Sequence, residues 1–136
     1  MGFPIQHKTT IRVRYPETDS MGYVHHSVYP QYYELARVEM LRERGISYKK
    51  MEEDGIILPV RELHITYNKP ARFDDILIIT STITKPPGLT LLFNFEIHTN
   101  NNELINSAEV CLVFADAHTG KPLRNAHTYL ASAFHT

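Results

Sequence analysis

One cysteine in 136 residues, Cys111, leaves no partner for an intrachain disulfide. A reducing compartment, the cytoplasm, is therefore the expected setting. Neither sign of charge is in excess: 14 Lys and Arg face 15 Asp and Glu, a formal net charge of −1. A dedicated nucleic-acid binder carries a basic surplus to meet phosphates, so no nucleic-acid partner is expected. No apolar run approaches the ~18 residues of a membrane span. The first eight residues hold no apolar stretch of the signal-peptide kind. Met1-Gly2 opens like a myristoylation signal, but Gln6 stands where Ser or Thr is required. No glycine-rich phosphate loop and no Gly-x-Ser-x-Gly elbow occurs, which removes two common devices for phosphate binding and serine hydrolysis. The adjacent pair His25-His26 lacks the i, i+4 spacing of helical metal ligands. No metal and no cofactor is expected.

What is present is an ordinary globular composition, 43% hydrophobic and 21% charged. The length fits a single domain, residues 1–136, with one core. Thr10 to Tyr15 alternates, with Ile11, Val13 and Tyr15 on one side, and reads as a half-buried strand. Ser27 is placed to cap a helix from Val28 to about Arg44, with Pro30 in its first turn and Gly45 ending it. On a helical wheel Val28, Tyr29, Tyr32, Tyr33, Leu35, Ala36 and Met40 share one arc, while Gln31, Glu34 and Arg37 fall outside it. Ser47 to Asp54 reads as a short capped helix closed by Gly55. The period then changes to two: Leu63, Ile65 and Tyr67 share a face, and Ile76 to Thr84 is rich in Ile and Thr. Leu89 to Ile97 and Ala108 to Phe114 also alternate. Short polar turns between such strands make antiparallel neighbours. One strand, a long helix, then four strands is an α+β order, with a sheet curved around the helix.

The stretch richest in chemistry is Tyr15-Pro16-Glu17-Thr18-Asp19-Ser20-Met21-Gly22-Tyr23-Val24-His25-His26-Ser27, between the first strand and the helix. It sets two carboxylates and two histidines just ahead of a helix N-terminus. Free N–H groups and the positive end of the helix dipole favour a polarised oxygen there. A carboxylate facing it can attack a carbonyl or act as general base toward water. Those two parts suffice to hydrolyse an activated acyl group. Taken alone, an Asp in such a loop is more often a turn residue, and the helix tyrosines are more often core. Cys111 reads as a packed or partly exposed strand residue.

Tyr15-x-Glu17-Thr18-Asp19-x-x-Gly22-x-Val24-x-His26-x-x-Tyr29, followed by Tyr33-x-x-Ala36-Arg37-x-Glu39, resembles the hotdog-fold acyl-CoA thioesterases of the 4-hydroxybenzoyl-CoA thioesterase and YbgC type. Pro70-Ala71-Arg72-Phe73-Asp74-Asp75 is similar to that family's turn between its second and third strands. Phe114-Ala115-Asp116-x-x-Thr119-Gly120-Lys121-Pro122 is similar to the end of its last strand. The resemblance implies a five-stranded antiparallel sheet wrapped around one long helix, paired into a homodimer or homotetramer with a shared sheet. It implies Asp19 as the catalytic carboxylate, Tyr15 and His26 flanking it, and Gly22 and Val24 in the substrate-binding loop. The backbone N–H at His26 is matched with the group that polarises the thioester carbonyl. One departure is Val28, where many YbgC-like chains carry Asn.

The implied reaction is hydrolysis of an acyl-CoA thioester to a free acid and coenzyme A. The readings left open beside it are an acyl-carrier-protein thioesterase and an acyl-CoA-binding protein without catalysis. The phosphates of coenzyme A need cations at the mouth. Lys69, Arg72, Lys85, Lys121 and Arg124, all near strand ends, are the candidates, with Lys69, Arg72 and Arg124 foremost.

Overall fold

The computed structural model describes residues 2–134. Strand β1 spans Ile5–Arg12, followed by a 3-10 turn at Tyr15–Glu17 and the helix α1, Tyr29–Glu43. A short helix α2, Tyr48–Glu53, leads through β2, Ile56–Ile57, into β3, Val60–Tyr67. Then come β4, Ile76–Ile83, β5, Thr90–Thr99, β6, Leu104–Val113, and β7, Ala115–Asp116. A 3-10 segment, Ala126–Phe134, lays Leu130, Ala133 and Phe134 into the core. The five long strands form one antiparallel sheet in the order β1-β4-β5-β6-β3, and β2 pairs with β7. No described helix is long and apolar enough to cross a membrane.

Period-two patterning decides which face of the sheet meets α1. Leu91, Phe93, Phe95 and Ile97 of β5 are buried, as are Ala108, Val110 and Leu112 of β6. Fully burying each large side chain contributes about 1.5–3 kcal/mol, so this face carries much of the stability. Tyr29, Tyr32, Tyr33, Ala36, Met40 and Leu41 of α1 complete the core, with Ala36 letting the helix lie close to the strands. A sheet around one helix, with hairpin neighbours antiparallel, agrees with the sequence expectation.

Several local expectations are corrected. The first strand begins five residues earlier than the alternation indicates and stops at Arg12; Tyr15 turns outward in the 3-10 turn and is 73% exposed. Pro16 cannot continue a ladder, and the chain bends there instead. Ser27 does not cap α1. Its hydroxyl bonds the His25 imidazole at 2.7 Å, and Val28 occupies the cap position without a side-chain cap bond. Leu35, expected in the core arc, is exposed, and Arg37, expected outside it, is only 5% exposed. The wheel misses this because α2 and residues 57–59 cover that flank of α1, a tertiary effect with no helical period. Leu89 is exposed, since the ordered strand starts at Thr90. The α2 reading holds: the Ser47 hydroxyl accepts the Lys50 N–H, and Gly55 takes the left-handed backbone.

One polar bond crosses the core: the Tyr33 hydroxyl donates to Asn106 Oδ1, and both residues are fully buried. The Asn106 Nδ2 finds no partner among the described residues. Replacing Tyr33 by Phe leaves the buried amide with neither end satisfied, a loss of about 1–3 kcal/mol. We expect Tyr33→Phe to lower the urea midpoint correspondingly, with the slope of the transition unchanged.

Candidate active site

Residues 18–25 form a miniature hairpin that ends at α1. Thr18 pairs with Val24, and the Asp19 N–H donates to the Tyr23 carbonyl at 2.7 Å. Gly22 closes the turn with φ +82°, a backbone conformation that side chains rarely adopt. The hairpin is pinned to the body at two places. The Val24 N–H donates to the Ala71 carbonyl, and the His25 N–H to that of Glu17.

Asp19 is held by one oxygen only. Its Oδ1 accepts the N–H of Met21 at 2.9 Å and that of Tyr23 at 3.1 Å. Its Oδ2 has no hydrogen-bond partner among the described residues. The carboxylate is thus oriented by the loop while one oxygen stays available.

Glu17, two residues earlier, is fully engaged. Oε1 accepts the Arg14 N–H at 2.8 Å and the Tyr32 hydroxyl at 2.8 Å, and Oε2 accepts two N–H groups of the Arg14 guanidinium. Burial pushes the Glu17 carboxyl up, but the bonds from the Arg14 backbone and the Tyr32 hydroxyl, with the Arg14 guanidinium, outweigh it. The net is a pKa below the ordinary 4.5. Burial, together with the same contact, drives the Tyr32 phenol well above its usual range. A groove of about 760 Å³ between β1 and α1 begins at this pair and passes Leu35 and Val38.

At the helix start, the Val28 N–H is taken by the His25 carbonyl, and the Val28 side chain joins the core. The N–H groups of His26 and Tyr29 have no acceptor among the described residues. The Tyr67 hydroxyl bonds the His26 carbonyl at 3.0 Å, and the rings of Tyr67 and Tyr29 meet edge to face. Desolvation pushes the buried Tyr29 phenol up to about 12. These tyrosines fix the backbone at His26 from below, leaving its side chain exposed beside that of His25, 4.2 Å between ring centroids.

Of the remaining sequence candidates, Arg72 is brought to the loop. It pairs with Tyr23, and its guanidinium stands 4.6 Å over the Tyr23 ring. Tyr15 packs edge-on against the exposed Phe73 next to it, 5.5 Å between centroids. Lys69 is paired with Glu103 at 2.8 Å. Arg124 lines a separate groove with Ile56, Leu123 and Tyr129, none of them in the Asp19 loop. Lys85 lies with Glu62, His64 and Cys111 on the outer face of the sheet, and Lys121 follows the Asp116–Gly120 turn. Among the described residues, no cluster of three His, Cys, Asp or Glu side chains could hold a metal ion. Sequence reasoning missed the anchoring role of Glu17, the Tyr67–His26 bond and the Arg72–Tyr23 contact. Only the second Tyr of the Tyr32-Tyr33 pair lies wholly toward the sheet, and nothing in the pattern separates the two.

A wrapped helix with an oriented carboxylate ahead of its N-terminus is the architecture of hotdog thioesterases. Residues 13–127 match the family described as the thioesterase-like superfamily, and the chain belongs to it. It is 39% identical over 112 residues to the acyl-CoA thioester hydrolase YbgC of Escherichia coli O6:H1, covering 82% of this chain and 84% of that one. To the acyl-CoA thioesterase YbgC of Haemophilus influenzae it is 31% identical, covering 83% of each. The DHNA-CoA thioesterase structure from Staphylococcus aureus superposes with a TM-score of 0.89 at 30% identity, over 95% of this chain and 88% of that one. The protein is a hotdog-fold thioesterase.

Proposed function

We propose that the protein hydrolyses acyl-CoA thioesters to a free acid and coenzyme A, with Asp19 as the reacting carboxylate. The observation that carries this is the half-held Asp19: Oδ1 anchored on two loop N–H groups, Oδ2 free, directly ahead of α1. The free oxygen either attacks the thioester carbon or takes a proton from attacking water. The carbonyl oxygen gains charge as the tetrahedral species forms, and the unpartnered N–H groups of His26 and Tyr29 are the donors for it. Collapse expels the thiolate, which leaves readily, so no stronger nucleophile is needed. His26 and Tyr15 flank the reacting atoms, and Gly22 and Val24 shape the loop beneath them.

The nucleotide end of coenzyme A falls to Arg72, whose guanidinium lies over Tyr23 beside the exposed Tyr15 and Phe73. Neutralising it removes binding common to ground and transition states, so Arg72→Gln is expected to raise KM several-fold with kcat nearly unchanged. The effect should shrink with added salt, since exposed charges are screened. Lys69 and Arg124 are expected to contribute less, one tied to Glu103 and the other in its own groove.

The working unit is a homodimer, or a tetramer of two such dimers, joined along β3. That strand lies at the sheet edge, with its second row of backbone groups unpaired. Its inward face leaves Val60 49%, Leu63 37% and Tyr67 50% exposed. An apolar edge of this kind is normally covered. The function is tested by following thiol release from acyl-CoA and from acyl-carrier protein bearing the same acyl group. Faster turnover of acyl-CoA is expected; exclusive turnover of the carrier-bound thioester would overturn the CoA assignment.

A further inference from the structure

Arg37 is the charged side chain among the buried described residues. It is 5% exposed, yet it forms no ion pair with any described residue, and Nε is wholly buried and unpartnered. The Tyr48 hydroxyl is buried beside the guanidinium, near enough to feel its charge, and its proton has no acceptor among the described residues. A buried guanidinium costs several kcal/mol unless acceptors meet it. Both groups line a pocket of about 390 Å³ between α1, α2 and the chain entering β3, floored by Leu58 and rimmed by the exposed Glu34 and Glu52. Unused donors sit at the bottom and two carboxylates at the mouth. A free multivalent anion is repelled at that rim. The complementary occupant carries neutral acceptors with a cation beside them.

The position of the pocket selects that occupant. Leu58 and Pro59 run directly into β3. When two copies pair β3 antiparallel about a two-fold axis through its midpoint, Val60 meets the partner's Tyr67. Pro59 then meets the partner's Asn68, and Leu58 the partner's Lys69. The geometry points to this pocket as the docking site for the Asn68–Lys69 segment of a second copy of this chain, an inference that rests on the β3 dimer proposed above.

The segment fits on both counts. The carbonyls of Asn68 and Lys69 accept no hydrogen bond among the described residues, and the Asn68 amide is exposed and unbonded. Those oxygens satisfy the Arg37 guanidinium and the Tyr48 hydroxyl. The Lys69 ammonium, bound to Glu103 through one contact and 57% exposed, has further N–H donors for Glu34 and Glu52. Each dimer holds two such locks, one at each end of the shared strands. Arg37 is thereby an assembly residue, which explains a buried charge that the single chain leaves unpaired.

The test is a dissociation constant, measured by sedimentation equilibrium on the full chain. Lys69→Glu, and separately Glu34→Lys combined with Glu52→Lys, are each expected to weaken the dimer by about tenfold or more. All three together restore opposite charge and should recover most of the loss. Glu103→Gln removes the internal ion pair of Lys69 without touching the lock and should leave the constant unchanged. Arg37→Met, checked for folding by circular dichroism, should weaken association at least as much as Lys69→Glu. A wild-type dimer whose constant is unmoved by the charge reversals, or not recovered by the triple variant, overturns the lock and leaves the β3 dimer standing. A wild-type protein that stays monomeric overturns both.

Discussion

Asp19→Asn is expected to fold, to bind substrate, and to lose at least two orders of magnitude in kcat, the usual scale for removing a general base. The geometry makes this a clean experiment. The loop is organised by Oδ1, which accepts the N–H groups of Met21 and Tyr23. An asparagine amide oxygen accepts both equally well, so the hairpin and the start of α1 survive the change. What disappears is the charge and basicity at Oδ2, the oxygen left free. Steady-state thiol release gives kcat, and circular dichroism checks the fold. A folded Asp19→Asn protein with near-native kcat would remove Asp19 from the reaction. A single turnover of the wild-type enzyme in ¹⁸O-water identifies nucleophilic attack by Asp19 when the label enters the protein. If water attacks directly, the first acid released carries the label. If Asp19 attacks and its own carboxyl carbon is hydrolysed, the label stays in the protein and the first acid is unlabelled.

The parts of this molecule that repeat were legible from sequence, and the parts that depend on one meeting were not. Alternation over Leu91–Ile97 and Ala108–Leu112 reports burial directly, because a two-residue period has one face to bury. Gly45 and Gly55 mark helix ends because each adopts a positive φ. Asp19 stood out only through the motif around it, since an Asp in a turn has no periodicity to betray a role. Arg37 and Leu35 were misplaced on the helix for the same reason. A wheel treats α1 as a cylinder against a flat wall, whereas α2 and residues 57–59 fold over one flank, burying Arg37, and Leu35 is left outside. Ser27 shows the competition at its smallest scale. A good capping residue one position early finds the imidazole of His25 and leaves the cap position to Val28. Glu17 and Asp19 could not be told apart by spacing, because the 3-10 turn at Tyr15–Glu17 breaks the strand geometry that would have put them on one side.

That separation sets the last expected result: Glu17 is a structural acid, and its removal costs stability rather than chemistry. Its carboxylate ties the Arg14 backbone and guanidinium to the Tyr32 hydroxyl, joining the turn ahead of the Asp19 loop to the first turns of α1. The group is largely buried, with 12% of the side chain exposed. Glu17→Ala strands the Tyr32 hydroxyl and an N–H of Arg14, and hydrogen bonds to a charged group are worth about 1.5–3 kcal/mol in net terms. We expect a loss of about 2–4 kcal/mol in unfolding free energy. Glu17→Gln keeps the acceptor for Arg14 N–H or Tyr32 but loses the charge, and should fall between the two. The pH dependence follows from the sign of the shift. The folded carboxyl is held below its ordinary 4.5, so the native state binds this proton less readily than the unfolded chain. The stabilisation is complete above the unfolded value and is lost as pH falls through the lower, folded one. Chemical denaturation of wild type and Glu17→Gln across that range should give stability curves that converge as the acid protonates. Thioester hydrolysis by Glu17→Gln at neutral pH should keep most of the wild-type kcat. A variant of native stability with abolished turnover would instead place Glu17 among the reacting groups, and would shift the general base from Asp19 to a carboxylate two residues away.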